Sequence, residues 1–128
     1  YNDLDKSRSE IRLLRILPAT KDDCTLRCEL FTFPLQGDYP RYVALSYVWG
    51  DTSITENIFI NGSVTPITKS LALALRRFRD GCPASKYASF LWADVICVNQ
   101  SNIAEKTHQV RMMAMTYERA ACVMSWLG

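Results

Sequence analysis

The chain is poor in the groups that usually announce chemistry. Among 128 residues there is a single histidine, His108. No Gly-x-Gly-x-x-Gly, no Walker-type phosphate loop and no Gly-x-Ser-x-Gly elbow occurs. A standard dinucleotide-binding unit, a P-loop enzyme and an α/β-hydrolase therefore lose support. The five cysteines make no Cys-x-x-Cys pair, and His108 is far in sequence from Cys24 and Cys28, so metal-ligand spacing is missing. The odd cysteine count, with Cys97 and Cys122 inside apolar runs, fits a reducing interior better than a disulfide framework. No run reaches the ~18 apolar residues of a membrane span, and no charged start leads into an apolar stretch as in a signal peptide. The start at Tyr1 and the stop at Gly128 read as an excerpt of a longer polypeptide. A net charge of +2 draws the chain neither to nucleic acid nor to an anionic membrane. Its densest basic cluster, Arg76, Arg77 and Arg79, reads as a solvated helix face.

What is present is a well-patterned small domain, since 48% hydrophobic and 22% charged residues are ordinary for a globular chain of this length. Ile11 to Leu17 and Thr25 to Phe33 predict a β-hairpin. Arg41 to Trp49 predicts a first core strand broken by Gly50-Asp51. Asn57 to Ile60 and Val64 to Ile67 flank Asn61-Gly62, a type I′ hairpin signal. Thr68 or Ser70 caps a helix with Leu71, Leu75 and Phe78 on one face, ended by Gly81-Cys-Pro83. Phe90 to Val98 is apolar on both faces and predicts a buried strand. Asn102 with Glu105 three residues on is a capping-box-like start. The helix that follows would bury Ile103, Val110, Met113, Ala114, Tyr117 and Ala121, and Cys122 to Leu127 closes as a strand. Strands separated by helices imply a short parallel sheet flanked by helices, an α/β fold with an added N-terminal antiparallel hairpin.

Two stretches hold the candidate site residues: Tyr42-Val-Ala-Leu-Ser-Tyr-Val-Trp-Gly-Asp51 and Leu91-Trp-Ala-Asp-Val-Ile-Cys-Val-Asn-Gln100. If both strands run parallel, their polar ends reach one sheet edge, where open α/β sheets hold ligands. Ser46, Tyr47, Trp49, Gly50 and Asp51 could line a pocket, with Trp49 stacking and Asp51 accepting a hydroxyl; the plainer reading is a packed Trp before a Gly-Asp turn. Asp94, inside an apolar run, needs a partner: an amide after Trp49, the Ser46 or Tyr47 hydroxyl, or Arg111. It either faces a ligand or ties strand ends together. Asn99 and Gln100 offer paired amides for a ligand or simply form a turn. Glu105 reads as a cap rather than a base, and His108 as a surface residue. Gln109 and Arg111 could face the sheet edge.

These residues resemble the HET (heterokaryon incompatibility) domain of filamentous fungi. The likeness rests on Ile11-Arg-Leu-Leu14, the two core stretches, Glu105 with Gln109-Val-Arg-Met112, then Tyr117 and Ala120 through Trp126-Leu-Gly128. It covers nearly the whole chain, as the N-terminal part of a single HET domain spanning 1–128. The resemblance implies a cytoplasmic fungal self/non-self recognition protein whose activation triggers cell death, working by self-association beside other domains of its parent. HET domains also resemble TIR domains, many of which cleave NAD. That likeness implies NAD as a candidate substrate or ligand of the complete domain. The glutamate that serves TIR domains lies past the third strand, so the resemblance assigns no catalytic residue here, and Glu105 is not one by this route.

Overall fold

The computed structural model describes residues 1–19, 25–47 and 52–126. In chain order the elements are β1 (Glu10–Ile16), β2 (Arg27–Pro34), β3 (Tyr42–Tyr47), β4 (Thr55–Ile60), β5 (Ser63–Thr68), α1 (Lys69–Asp80), β6 (Phe90–Trp92), α2 (Asp94–Cys97), α3 (Ile103–Arg119) and β7 (Cys122–Trp126), with short 3-10 turns at Lys6–Arg8 and Pro83–Lys86. All seven strands join one sheet in the order β5-β4-β2-β1-β6-β3-β7.

The N-terminal hairpin forms as expected, antiparallel from Glu10↔Pro34 to Ile16↔Cys28. It is not an appendage. β1 also pairs antiparallel with β6, Leu14 opposite Leu91, so the hairpin is spliced into the middle of the sheet. The physical reason lies in β1 itself. Ile11, Leu13 and Leu14 are all buried, and a strand apolar on both faces is stable only where both faces are covered. The expected short parallel sheet is thus corrected to a mixed seven-stranded one. Its parallel portion is β6-β3-β7, with a second parallel contact where Arg27 and Cys28 of β2 meet Phe59 and Ile60 of β4.

The β4–β5 hairpin turns at Asn61 and Gly62, both at positive φ (50° and 81°), as a type I′ turn requires. Thr68 is the N-cap of α1, its hydroxyl accepting from the Leu71 amide at 3.2 Å. Leu71, Leu75 and Phe78 are buried, the face the spacing predicts. The basic cluster on this helix is not simply solvated: Arg76 pairs with Glu56 of β4, and the Arg79 side chain is largely covered while bonding Asp80.

Two further expectations need correction. Phe90 to Val98 is not one strand: β6 stops at Trp92 and the chain coils into the single turn α2. The Ile96 and Cys97 amides both donate to the Ala93 carbonyl, and the Asp94 carboxylate accepts from the Val95 amide at 2.9 Å. A short apolar run buried throughout carries no period that separates a strand from a helical turn. The apolar stripe expected on α3 holds only in part: Met113 and Tyr117 pack against the core. Ile103 is 81% and Val110 55% exposed, while the buried face is Glu105, Gln109, Met112 and Thr116. Those positions meet Arg12, the Glu10 carbonyl and the Tyr42 hydroxyl. Buried polar groups on β1 and β3 need partners, and they select which side of α3 turns inward. Ala121 lies beyond the helix, its amide donating to the Tyr42 carbonyl at 2.8 Å.

Candidate functional site

β3 is the middle strand of the parallel trio, with β6 on one side and β7 on the other, so the chain reverses its direction of progress at β3. The crevice at such a point, beyond the carboxyl ends of the strands, is the usual ligand position in open α/β sheets. Register places Ser46 beside Ser125, Tyr47 beside Trp126 and Ala44 beside Trp92. Asp94 follows β6 by two residues. Trp49, Gly50 and Asp51 lie outside the described residues.

At this rim Ser46, Tyr47, Asp94 and Tyr117 form a cluster. Burial, and then the negative charge of Asp94, push the Tyr47 phenol up to about 12. Burial and Asp94 likewise raise Tyr117, while a hydrogen bond with the Ser46 hydroxyl pulls the other way. The Tyr117 hydroxyl reaches the Leu45 carbonyl at 3.3 Å, and the Trp92 ring meets the Tyr117 ring edge-on at 5.5 Å. Both phenols therefore stay protonated at neutral pH. Two indole nitrogens, Trp92 Nε1 and Trp126 Nε1, are buried without a hydrogen-bond partner among the described residues. Asp94 is half-exposed rather than desolvated inside a strand, because the chain turns into α2 at that point and leaves its carboxylate at the first helical position. The rim thus gathers one half-exposed carboxylate, two phenols and two indole N–H groups.

The other expected residues lie elsewhere. Asn99 and Gln100 are occupied in shaping the turn: Asn99 Oδ1 accepts from the Ser101 amide at 3.1 Å, and Gln100 Nε2 donates to the Asp94 carbonyl at 3.0 Å. Gln109 reaches Glu10 on β1 instead of the rim cluster, and Arg111 is exposed. Asn102 caps α3 by accepting from the Glu105 amide at 3.0 Å, but Glu105 does not complete a capping box. Its carboxylate binds both Arg12 Nη atoms at 2.7 and 2.8 Å and accepts from the Asn99 amide at 2.5 Å. Both side chains are nearly closed to solvent, at 4% for Arg12 and 7% for Glu105. Burial alone would raise Glu105; the bonds from Arg12 and Asn99 outweigh it and hold the carboxyl below its ordinary value. Arg12 also donates to the Cys97 and Asn2 carbonyls, so one guanidinium ties β1, α2, α3 and the N-terminal segment together.

Arg12 and Tyr117 are the residues that pattern reading passed over as site or scaffold groups. An arginine inside Ile11-Arg-Leu-Leu14 is a visible signal, since an apolar strand does not carry a charge without a partner. Tyr117 gives none, because an aromatic on an apolar stripe reads as core. Among the described residues no group of His, Cys, Asp and Glu could hold a metal ion, and no helix is long and apolar enough to cross a membrane.

The fold is a mixed α/β domain whose parallel strands β6, β3 and β7 end at a polar rim. Comparison with known proteins identifies the group. The family model "Heterokaryon incompatibility protein (HET)" matches residues 42–128, and the chain belongs to that family. It is 37% identical over 134 aligned positions to Heterokaryon incompatibility protein 6, OR allele, of Neurospora crassa, covering 98% of this chain and 20% of that protein. The chain thus spans about a fifth of the length of that relative. No solved structure matches it.

Proposed function

We propose that this chain is part of a HET domain that triggers fungal cell death on self-association, with a nucleotide site, for NAD, at the carboxyl edge of β3, β6 and β7. The observation that carries this reading is the parallel register of the three strands, which gathers Ser46, Tyr47, Asp94 and Tyr117 at one end. In this reading Asp94 accepts from ribose hydroxyls and the Trp126 indole N–H donates to the ligand's oxygens, with Trp49, Gly50 and Asp51 as further candidate contacts. Asn99 and Gln100 hold the turn behind this site. Cleavage of the nicotinamide bond belongs to the complete domain in a longer parent.

The test is calorimetry of NAD and ADP-ribose against this chain, with nicotinamide release followed in the longer parent protein. Binding that weakens at least tenfold in Asp94→Asn and Asp51→Ala, with the fold intact, supports the pocket. Absence of binding to both chains removes it. A second reading, a non-enzymatic interaction module, draws on the solvent-facing Ile103 and Val110 of α3, apolar side chains where a free helix carries polar ones. A parent that assembles and kills without releasing nicotinamide would favour that reading.

A further inference from the structure

A cleft of about 260 Å³ separates the N-terminal residues Asp3, Leu4 and Lys6 from the first turns of α3, where Asn102, Glu105, His108 and Gln109 face it. Three observations single it out. First, the Gln109 amide has a fixed orientation. Its Nε2 donates to the Glu10 carbonyl at 3.0 Å, so the other end must be the oxygen. That Oε1 belongs to a residue only 1% exposed and has no partner among the described residues. Second, the neighbouring His108 Nε2 is also buried and unpartnered among the described residues. Third, Glu105 is already spent on Arg12 and the Asn99 amide, so it brings no free negative charge to the cleft. The opposite wall carries one residue of each formal charge, Asp3 and Lys6.

We propose that this cleft is a binding site for a small neutral group carrying an N–H or O–H donor beside an acceptor, a primary carboxamide being the simplest example. The donor meets Gln109 Oε1, and the acceptor takes a hydrogen from the imidazole in its Nε2–H tautomer. A buried acceptor left without a partner is costly, and an uncharged ligand is the one that relieves it without adding a desolvated charge. The volume lies below the ~300–1,000 Å³ of drug-sized pockets, which fits a side-chain-sized group rather than a nucleotide. Both atoms are closed to solvent, so the ligand enters only if residues 3 and 4, which belong to neither helix nor strand, move aside. The site uses none of the rim residues, and it stands or falls apart from the NAD reading.

The probe is acetamide, titrated into the isotope-labelled chain and followed by NMR, with acetone as the same shape lacking a donor. Saturable shifts at the Gln109 side-chain amide and the His108 ring are expected with acetamide and not with acetone. Gln109→Leu should weaken the response at least fivefold. If that variant does not fold, His108→Ala, altering a half-exposed residue, should still weaken acetamide binding severalfold. Equal, unsaturable responses to acetamide and acetone overturn the proposal, as does a crystal structure in which water meets both atoms and acetamide does not displace it.

Discussion

Removing the Arg12 side chain's charge while keeping its bulk, as Arg12→Met, tests the packing logic of the whole domain. The guanidinium makes four hydrogen bonds, two of them to Glu105. Without it the Glu105 carboxylate stays buried with, among the described residues, the Asn99 amide as its remaining hydrogen-bond partner. Breaking a buried ion pair from one side costs about 3–5 kcal/mol. A domain of this length is stable by roughly 6–19 kcal/mol on the usual per-residue range, so the loss takes a large share of the total. In urea denaturation followed by tryptophan fluorescence, the midpoint should fall with the slope unchanged. Arg12→Met/Glu105→Leu should be no less stable than Arg12→Met alone, because the stranded charge is gone; the two effects should couple by more than about 1 kcal/mol. The pH dependence has a definite sign. Glu105 is held below its ordinary value of 4.5 in the folded state, so its contribution is full above that pH and is lost as pH falls through the lowered folded value. In Arg12→Met the same carboxyl, buried without its cation, favours the protonated form. The gap between variant and wild type should therefore narrow as the pH is lowered from 7 toward 4. A variant within 1 kcal/mol of wild type at pH 7, or strictly additive single and double effects, would refute the reasoning.

The phenols and thiols supply two further checks. With the Tyr47 phenol raised to about 12 by burial and then Asp94, folding stability should decline as pH rises from about 10 through 12, and Asp94→Asn should lower that ionisation in an ultraviolet titration; an unchanged titration would separate Asp94 from Tyr47. Among the described cysteines, Cys28 and Cys97 are buried with thiols pushed up to about 12 by desolvation. At Cys82 partial burial is outweighed by hydrogen bonds from Ser85 and the Ala84 amide, which lower the thiol. Iodoacetamide at pH 7.5 should label Cys82 well ahead of Cys28 and Cys97, read by peptide mass spectrometry, and comparable labelling of all three would contradict the burial described.

Local chemistry was legible wherever neighbours in sequence decide the outcome. Asn61-Gly62 demands positive φ whatever surrounds it, Thr68 caps the helix whose amides it precedes, and Leu71, Leu75 and Phe78 share a face by helical period alone. The parallel alignment of β3 with β6, and with it the meeting of Ser46, Tyr47 and Asp94 at one rim, followed from the helices that separate the strands. The HET resemblance was carried by the same residues, since those stretches combine buried strand and polar terminus in an unusual order.

Tertiary structure decided the rest, through groups that need distant partners. The buried Arg12 requires an anion, and Glu105, ninety-three residues away, supplies it. That single requirement helps turn α3 so that Glu105, Gln109, Met112 and Thr116 face inward while Ile103 and Val110 face out. Burial on both faces draws β1 into the centre of the sheet. At Asp94, a hydrogen bond to the next amide accompanies the switch from strand to helical turn. Hydrophobic period is a property of one segment, whereas the cost of an unpaired buried charge or amide belongs to the whole fold. For that reason the pattern along the chain names the elements, and only their packing tells which faces meet.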